Sequence, residues 1–194
     1  VILYPKDEVT DFQKKQMNDL GCNIKTFEIN GKFDDCQLMV KKAFNDYDLI
    51  NLNLTSANSI NIGRILPQIV YYFYSFLNCS YDYLPLIFSV PSGNFGNSLG
   101  CEIARRMGLP VKKIILAVNE NDEFPRFLKK GYYNKISPSK ACLSNAMNVG
   151  NPSNLARYFD LYGGCIDKNG LVNKMPDLEE MRKNIFSASV TDKE

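Results

Sequence analysis

Ser89-Val90-Pro91-Ser92-Gly93-Asn94-Phe95-Gly96-Asn97 joins an apolar run at 86–90 to a helical pattern over 98–107. A strand that feeds a helix through such a loop leaves several backbone N–H groups without acceptors at the helix start. Those donors and the positive end of the helix dipole make a place for an anion, phosphate above all. Gly93 and Gly96 are expected to let the backbone turn with φ > 0 and to let a ligand approach without a Cβ in the way. Asn94 and Asn97 tolerate unusual backbone angles and can add side-chain donors. Glycine at a strand–helix junction also serves simply to make a tight turn, and the residue types leave both readings open. The loop matches neither G-x-x-x-x-G-K-[ST] nor G-x-G-x-x-G, which disfavours a nucleotide triphosphatase and a dinucleotide fold.

Outward from this loop, strand and helix signals alternate. Residues 1–4 read as a strand. Thr10 with Gln13 makes a capping-box pattern, and Phe12, Met17 and Leu20 give the following helix an apolar side that Gly21 closes. Residues 24–29 read as a strand, Phe33, Cys36, Val40, Ala43 and Phe44 repeat at helical spacing, and 49–54 reads as a third strand. The run predicts a parallel, right-handed βαβαβ piece. Asn51, Asn53, Thr55, Ser56, Asn58, Ser59 and Asn61 mark a crossing between domains. An apolar helix is predicted over 63–77, starting near Arg64 so that Pro67 falls in its first turn. Residues 86–90, the loop, helix 98–107 and a strand at 113–118 form a second βαβ unit. Asp122 starts a short helix ending near Lys129-Lys130-Gly131, and 155–162 and 177–186 also read as helical. The fold class is α/β, parallel sheets with flanking helices, with domain pieces at 1–62 and 63–194 whose strands lie in separate sheets. A chain that opens with Val1 inside a strand reads as a piece of a longer protein. The sheet edge beside residues 1–4 is then expected to pair with a second copy.

Composition excludes several classes. A formal net charge of +2 over 194 residues gives no reason to propose nucleic acid or an anionic membrane surface. The six cysteines form no C-x-x-C pair and the chain has no histidine, so a metal site is not expected, and serine–histidine and cysteine–histidine catalysis are impossible within it. Reduced thiols in a cytoplasmic protein are the expectation. No apolar run is long enough to span a bilayer.

Asn58-Ser59-Ile60-Asn61-Ile62-Gly63-Arg64 is the second constellation. Its Asn and Ser donors stand ahead of a helix whose first turn would carry an arginine. Capping by Ser59 or Asn61, with Arg64 on the surface, is one reading. A cation is unfavourable near a helix N-terminus, so Arg64 wants a compensating partner, and an anionic ligand is the other reading.

Three segments together, 56–64, 90–97 and 143–154 (Leu-Ser-Asn-Ala-Met-Asn-Val-Gly-Asn-Pro-Ser-Asn), resemble the bacterial threonine synthases, and residues 167–180 are also similar. The resemblance covers essentially the whole chain. It implies a fold type II, tryptophan synthase β-like pyridoxal-phosphate enzyme, a lyase of threonine biosynthesis that converts O-phosphohomoserine and water to threonine and phosphate. Ser92, Gly93, Asn94, Phe95, Gly96 and Asn97 would hold the phosphate of pyridoxal 5'-phosphate, and Asn58, Ser59 and Arg64 would bind the phosphate of the substrate. An arginine fork suits two phosphate oxygens. The family usually carries Asp where Asn148 stands. Its cofactor-bearing lysine, in a Phe-Lys-Asp context, and its Ser-Gly-Asp-Thr-Gly-type loop have no counterpart here and are expected upstream, so no catalytic residue is assigned. Other functions compatible with the same residues are a threonine-synthase-like phospho-lyase and a non-catalytic phosphate-binding α/β module, whereas Asn58, Ser59 and Arg64 favour a phosphorylated substrate and so disfavour a serine or threonine dehydratase.

Overall fold

The structure, a computed structural model, describes residues 1–167 and 169–193. It divides into two compact units, Val1–Thr55 and Ser56–Glu194. The division lies inside the Asn- and Ser-rich 51–61 stretch, ahead of residue 62.

The first unit is a βαβ piece with one further helix. Strand β1 (Ile2–Pro5) leads to helix α1 (Asp11–Asn18) and strand β2 (Thr26–Ile29), then helix α2 (Phe33–Phe44). The strands pair in parallel, Ile2 opposite Thr26. The capping box at α1 forms: Gln13 N donates to Thr10 Oγ1 at 3.3 Å and Thr10 N to Gln13 Oε1 at 3.0 Å. The third strand expected at 49–54 is absent; Tyr47–Leu52 is a 3-10 helix. Asp46 starts it by accepting from Asp48 N at 3.0 Å, and Asn53, with φ 47, ends it. The apolar residues of this run signalled burial, but the local side-chain bond of Asp46 competes with extended backbone.

The second unit carries the main core. Two 3-10 turns, Ile62–Arg64 and Leu66–Gln68, precede helix α3 (Ile69–Cys79). The helix expected to start near Arg64, with Pro67 in its first turn, begins instead at Ile69, because Pro67 supplies no N–H and its turn closes in 3-10 geometry ahead of the helix. Strand β3 (Leu86–Pro91) runs into helix α4 (Gly96–Arg106), strand β4 (Val111–Val118) and helix α5 (Glu123–Lys130). Helix α6 (Leu155–Leu161), a small antiparallel pair β5 (Cys165–Ile166) and β6 (Val172–Lys174), helix α7 (Leu178–Asn184) and strand β7 (Ile185–Ser189) complete it. The sheet order is β3–β4–β7, all parallel. Ile114, Leu116 and Val118 of β4 point one way into the core, as period-2 alternation requires. Phe95, Phe124, Phe127, Tyr158 and Phe159 fill the space between sheet and helices, with Phe127 stacked on Phe159 at 5.0 Å. The helix expected over 177–186 stops at Asn184, and Ile185-Phe186 open β7 instead.

Candidate functional site at the β3–α4 loop

The loop sits where β3 hands the chain to α4. Ser92 is fixed first: its N–H donates to Ala117 O at 2.8 Å and its Oγ to Val90 O at 3.0 Å. Among the described residues, the N–H groups of residues 93–98 have no acceptor, whereas Leu99 N donates to Phe95 O at 2.9 Å. A helix leaves its first N–H groups unpaired by geometry; here the loop ahead of it adds more.

Neither Gly93 nor Gly96 takes φ > 0. Phe95 does, at φ 58, and α4 starts at Gly96 rather than Ser98. Phe95 is held there because its ring is buried against Phe124 at 5.0 Å and Tyr158 at 6.1 Å. The glycines serve close approach. A Cβ on Gly93 would stand 2.8 Å from Met147 Cα, and one on Gly96 would stand 3.0 Å from Ser59 Cβ. Both other motifs named from the sequence thus press on this loop.

Hydrogen bonds fasten the three segments. Asn94 Oδ1 accepts from Ser153 N at 3.1 Å and Ser153 Oγ at 3.2 Å, and Asn94 O accepts from Asn154 Nδ2 at 2.9 Å. Arg157 donates to Ser59 O at 3.1 Å, to Ile60 O at 2.7 Å, and to Asn154 Oδ1. Asn97 does not offer its side chain to a ligand: Nδ2 donates to Gln68 Oε1 at 2.9 Å and Oδ1 accepts from Tyr72 OH at 2.7 Å. Asn58 Oδ1 accepts from Ser56 Oγ at 2.6 Å and from Ile60 N at 3.0 Å, which shapes the turn. Asn61 caps Ile62–Arg64 by accepting from Gly63 N at 2.9 Å. Arg64 is exposed at the end of that turn, ahead of α3 rather than in its first turn.

Asn148 lies buried behind the loop. Its Oδ1 accepts from Asn119 Nδ2 at 3.0 Å and Cys142 N at 3.2 Å. Asn119 Oδ1 in turn accepts from Asn121 N and Nδ2, both at 3.0 Å. The amide ladder pins segment 140–149, and so Met147, to the end of β4. An open cleft of about 330 Å³ lies beside it, lined by Pro91, Asn119, Ser144, Met147, Val190 and Asp192. It occupies the carboxyl ends of the parallel strands, where α/β sheets place ligands.

Sequence reasoning missed Arg157, Asn154 and the Asn119–Asn121–Asn148 ladder. Arg157 carried a usable signal. It falls in the first turn of α6, where a cation is disfavoured by the dipole. The argument that singled out Arg64 applies to it with greater force, since burial also lowers its pKa.

No protein-family model matches the chain. A threonine synthase of Buchnera aphidicola subsp. Schizaphis graminum is 44% identical over 195 residues, covering 98% of this chain and 43% of that protein. The crystal structure of threonine synthase from Escherichia coli superimposes with a TM-score of 0.84 at 38% identity, over 99% of this chain and 42% of that one. Over nearly its whole length the chain is similar to threonine synthases. A pyridoxal-phosphate-bound threonine synthase from Brucella melitensis follows with a TM-score of 0.77 at 33% identity, over 98% of this chain and 44% of that one. The chain thus spans less than half the length of the threonine synthases it matches.

Proposed function

We propose that this chain supplies the phosphate-anchoring part of a pyridoxal-phosphate-dependent threonine synthase, which turns O-phosphohomoserine and water into threonine and phosphate. In this reading Ser92, Gly93, Asn94, Phe95, Gly96 and Asn97 hold the cofactor phosphate, chiefly through backbone N–H groups. Asn58, Ser59 and Arg64 face the substrate phosphate. The unit Val1–Thr55 belongs to a small N-terminal α/β domain and Ser56–Glu194 to the larger cofactor-binding domain.

The observation that carries the reading is the run of unpaired N–H groups at 93–98, at the start of an eleven-residue helix. A phosphate fits that donor set: donors without protein acceptors, a helix dipole behind them, and two glycines whose missing Cβ atoms let neighbouring segments close in. When bound, pyridoxal phosphate supplies an electron sink for carbanion chemistry at an amino-acid Cα. The chain's own residues bind and orient. The loop N–H groups take phosphate oxygens, Arg64 offers a planar fork to a second phosphate, and the 140–149 segment walls the cleft. No lysine in this chain has the family's Phe-Lys-Asp context, so the proton-moving lysine is assigned to none of them.

The described residues include no helix long and apolar enough to cross a membrane, and the six cysteines are free, which supports a reducing cytoplasmic setting. The β1–β2 pair carries no third strand among the described residues, which supports self-association through that edge.

Titration with pyridoxal phosphate, followed by amide shifts, tests the reading. Shifts should concentrate at 93–98, and borohydride treatment should label no single lysine stoichiometrically. Saturable binding elsewhere, with 93–98 unmoved, overturns the loop assignment.

A further inference from the structure

Arg157 has no place among the residues proposed above to touch either phosphate, yet it joins the two segments that do. Its guanidinium is half-buried, and its three acceptors are all neutral oxygens: Ser59 O at 3.1 Å, Ile60 O at 2.7 Å and Asn154 Oδ1. Among the described residues no carboxylate pairs with it. A cation spent on backbone carbonyls is an expensive way to hold a turn, because desolvation disfavours the charge and no counterion offsets it. The fork earns its position through geometry. Two adjacent carbonyls, Ser59 O and Ile60 O, are gripped by two ends of one rigid plane, which fixes the orientation of consecutive peptide units. Asn154, fully buried, holds the third contact and with its other end reaches Asn94 O at 2.9 Å.

Resting on the function proposed above, we infer that Arg157 is a positioning residue. With Asn154 as its anchor, it latches the Asn58–Asn61 turn onto the phosphate loop, so that Ser59 sits against Gly96 at the first residue of α4. The latch sets the spacing between the anion place at 93–98 and the one offered by Asn58, Ser59 and Arg64. It acts through the backbone of Ser59 and Ile60 and not by contact with a ligand.

Hydrogen exchange on the chain without ligand tests the latch. The amides of Ile60, Asn61, Gly63 and Arg64, bonded at 2.9–3.1 Å within the turn, report on it, and those of helix α4 report on the fold. Arg157→Met keeps the apolar stem and removes the fork. Arg157→Lys keeps the charge but replaces the planar fork with a point charge. Exchange in the turn should quicken at least tenfold in both, with α4 unchanged. Wild-type protection of the turn in Arg157→Lys overturns the inference, since charge alone would then suffice. Loss of α4 protection in both variants overturns it too, since the role would be general stability. Titration of the wild-type chain with inorganic phosphate is a separate arm. Lack of binding there overturns the anion-site reading, while the ligand-free exchange still decides the latch.

Discussion

At the scale of single residues, the loop's strain and its openness are separated. Phe95 takes the left-handed turn, and burial of its ring holds it there; Gly93 and Gly96 give way to neighbours. Gly96→Val therefore acts by collision and not by a forbidden φ. Its Cβ would meet Ser59 Cβ at 3.0 Å, and its γ-methyls bring further crowding. Overpacking of this kind costs about 1–3 kcal/mol, and the turn at 58–61 is the part that can yield. The expected outcome is a folded protein with far-ultraviolet circular dichroism unchanged, faster exchange at Ile60 and Asn61, and weakened phosphate binding. Unaltered phosphate affinity would show that Ser59 need not lie against the helix start. Cys101 gives a second prediction. It is fully buried in α4, and burial pushes its thiol up to about 12 from the ordinary 9.0, with Glu102 adding to the effect. The thiol is neutral when protonated, so below pH 9 both folded and unfolded chains keep the proton and stability is untouched. Above it the unfolded chain releases the proton and the folded one does not, so stability falls by about 1.4 kcal/mol per pH unit. Urea unfolding between pH 10 and 11 should show stability falling with pH, with the other buried thiol and phenols adding to the fall, and Cys101→Ala should make it shallower by about one proton.

At the scale of elements, helix ends are held by cations from other elements. Arg182 of α7 donates to Leu128 O at 2.6 Å and Lys129 O at 3.2 Å, the last carbonyls of α5. Lys113 of β4 donates to Arg182 O at 2.7 Å and Lys183 O at 2.9 Å, near the end of α7. The chain of caps binds α5, α7 and β4 in sequence and satisfies carbonyls that a helix leaves open. Arg182→Met should cost about 1 kcal/mol, read as a lower thermal midpoint, and Lys113→Met should cost a similar amount. A null effect for Arg182 would mean that water replaces the guanidinium without loss. None of these long-range caps was legible in the sequence, where Lys129-Lys130-Gly131 showed only that a helix ends there. What was legible has a local cause. The Thr10–Gln13 box and the Gly131 terminus, with φ 82, each rest on residues a few positions apart. Strand β7 was missed because Ile185-Phe186 continue the apolar spacing of α7, and only pairing with β4 makes them extended. The candidate site was legible as three motifs. The bonds that gather them, such as Arg157 to Ser59, span up to 98 positions and leave no periodic trace.

At the scale of the whole chain, apolar burial is distributed unequally. Every member of the continuous core, from Ile65 to Ile185, belongs to the second unit. In the first, the buried apolar side chains named in the core are Tyr4 and Cys36, α1 buries none of its residues, and Phe12, Phe27, Tyr47, Ile50 and Leu52 are more than half exposed. Two parallel strands with so little packed against them are marginal, because a sheet this narrow gains too little from burial to offset chain entropy. The second unit has a central strand, β4, paired on both sides and covered by aromatic side chains. Opening free energies should therefore differ by unit. In native hydrogen exchange, amides of Ile2–Pro5 and Thr26–Ile29 should exchange at least a hundredfold faster than those of Ile114, Leu116 and Val118. Low urea should release the first unit's protection while β4 keeps its own, giving two transitions instead of one. Substituting Leu116 by Ala should lower only the second transition, by about 2–5 kcal/mol, since the side chain is fully buried. One cooperative transition, with β1 as protected as β4, would show that the first unit draws its stability from the second and that burial within each unit is not what sets the order of opening.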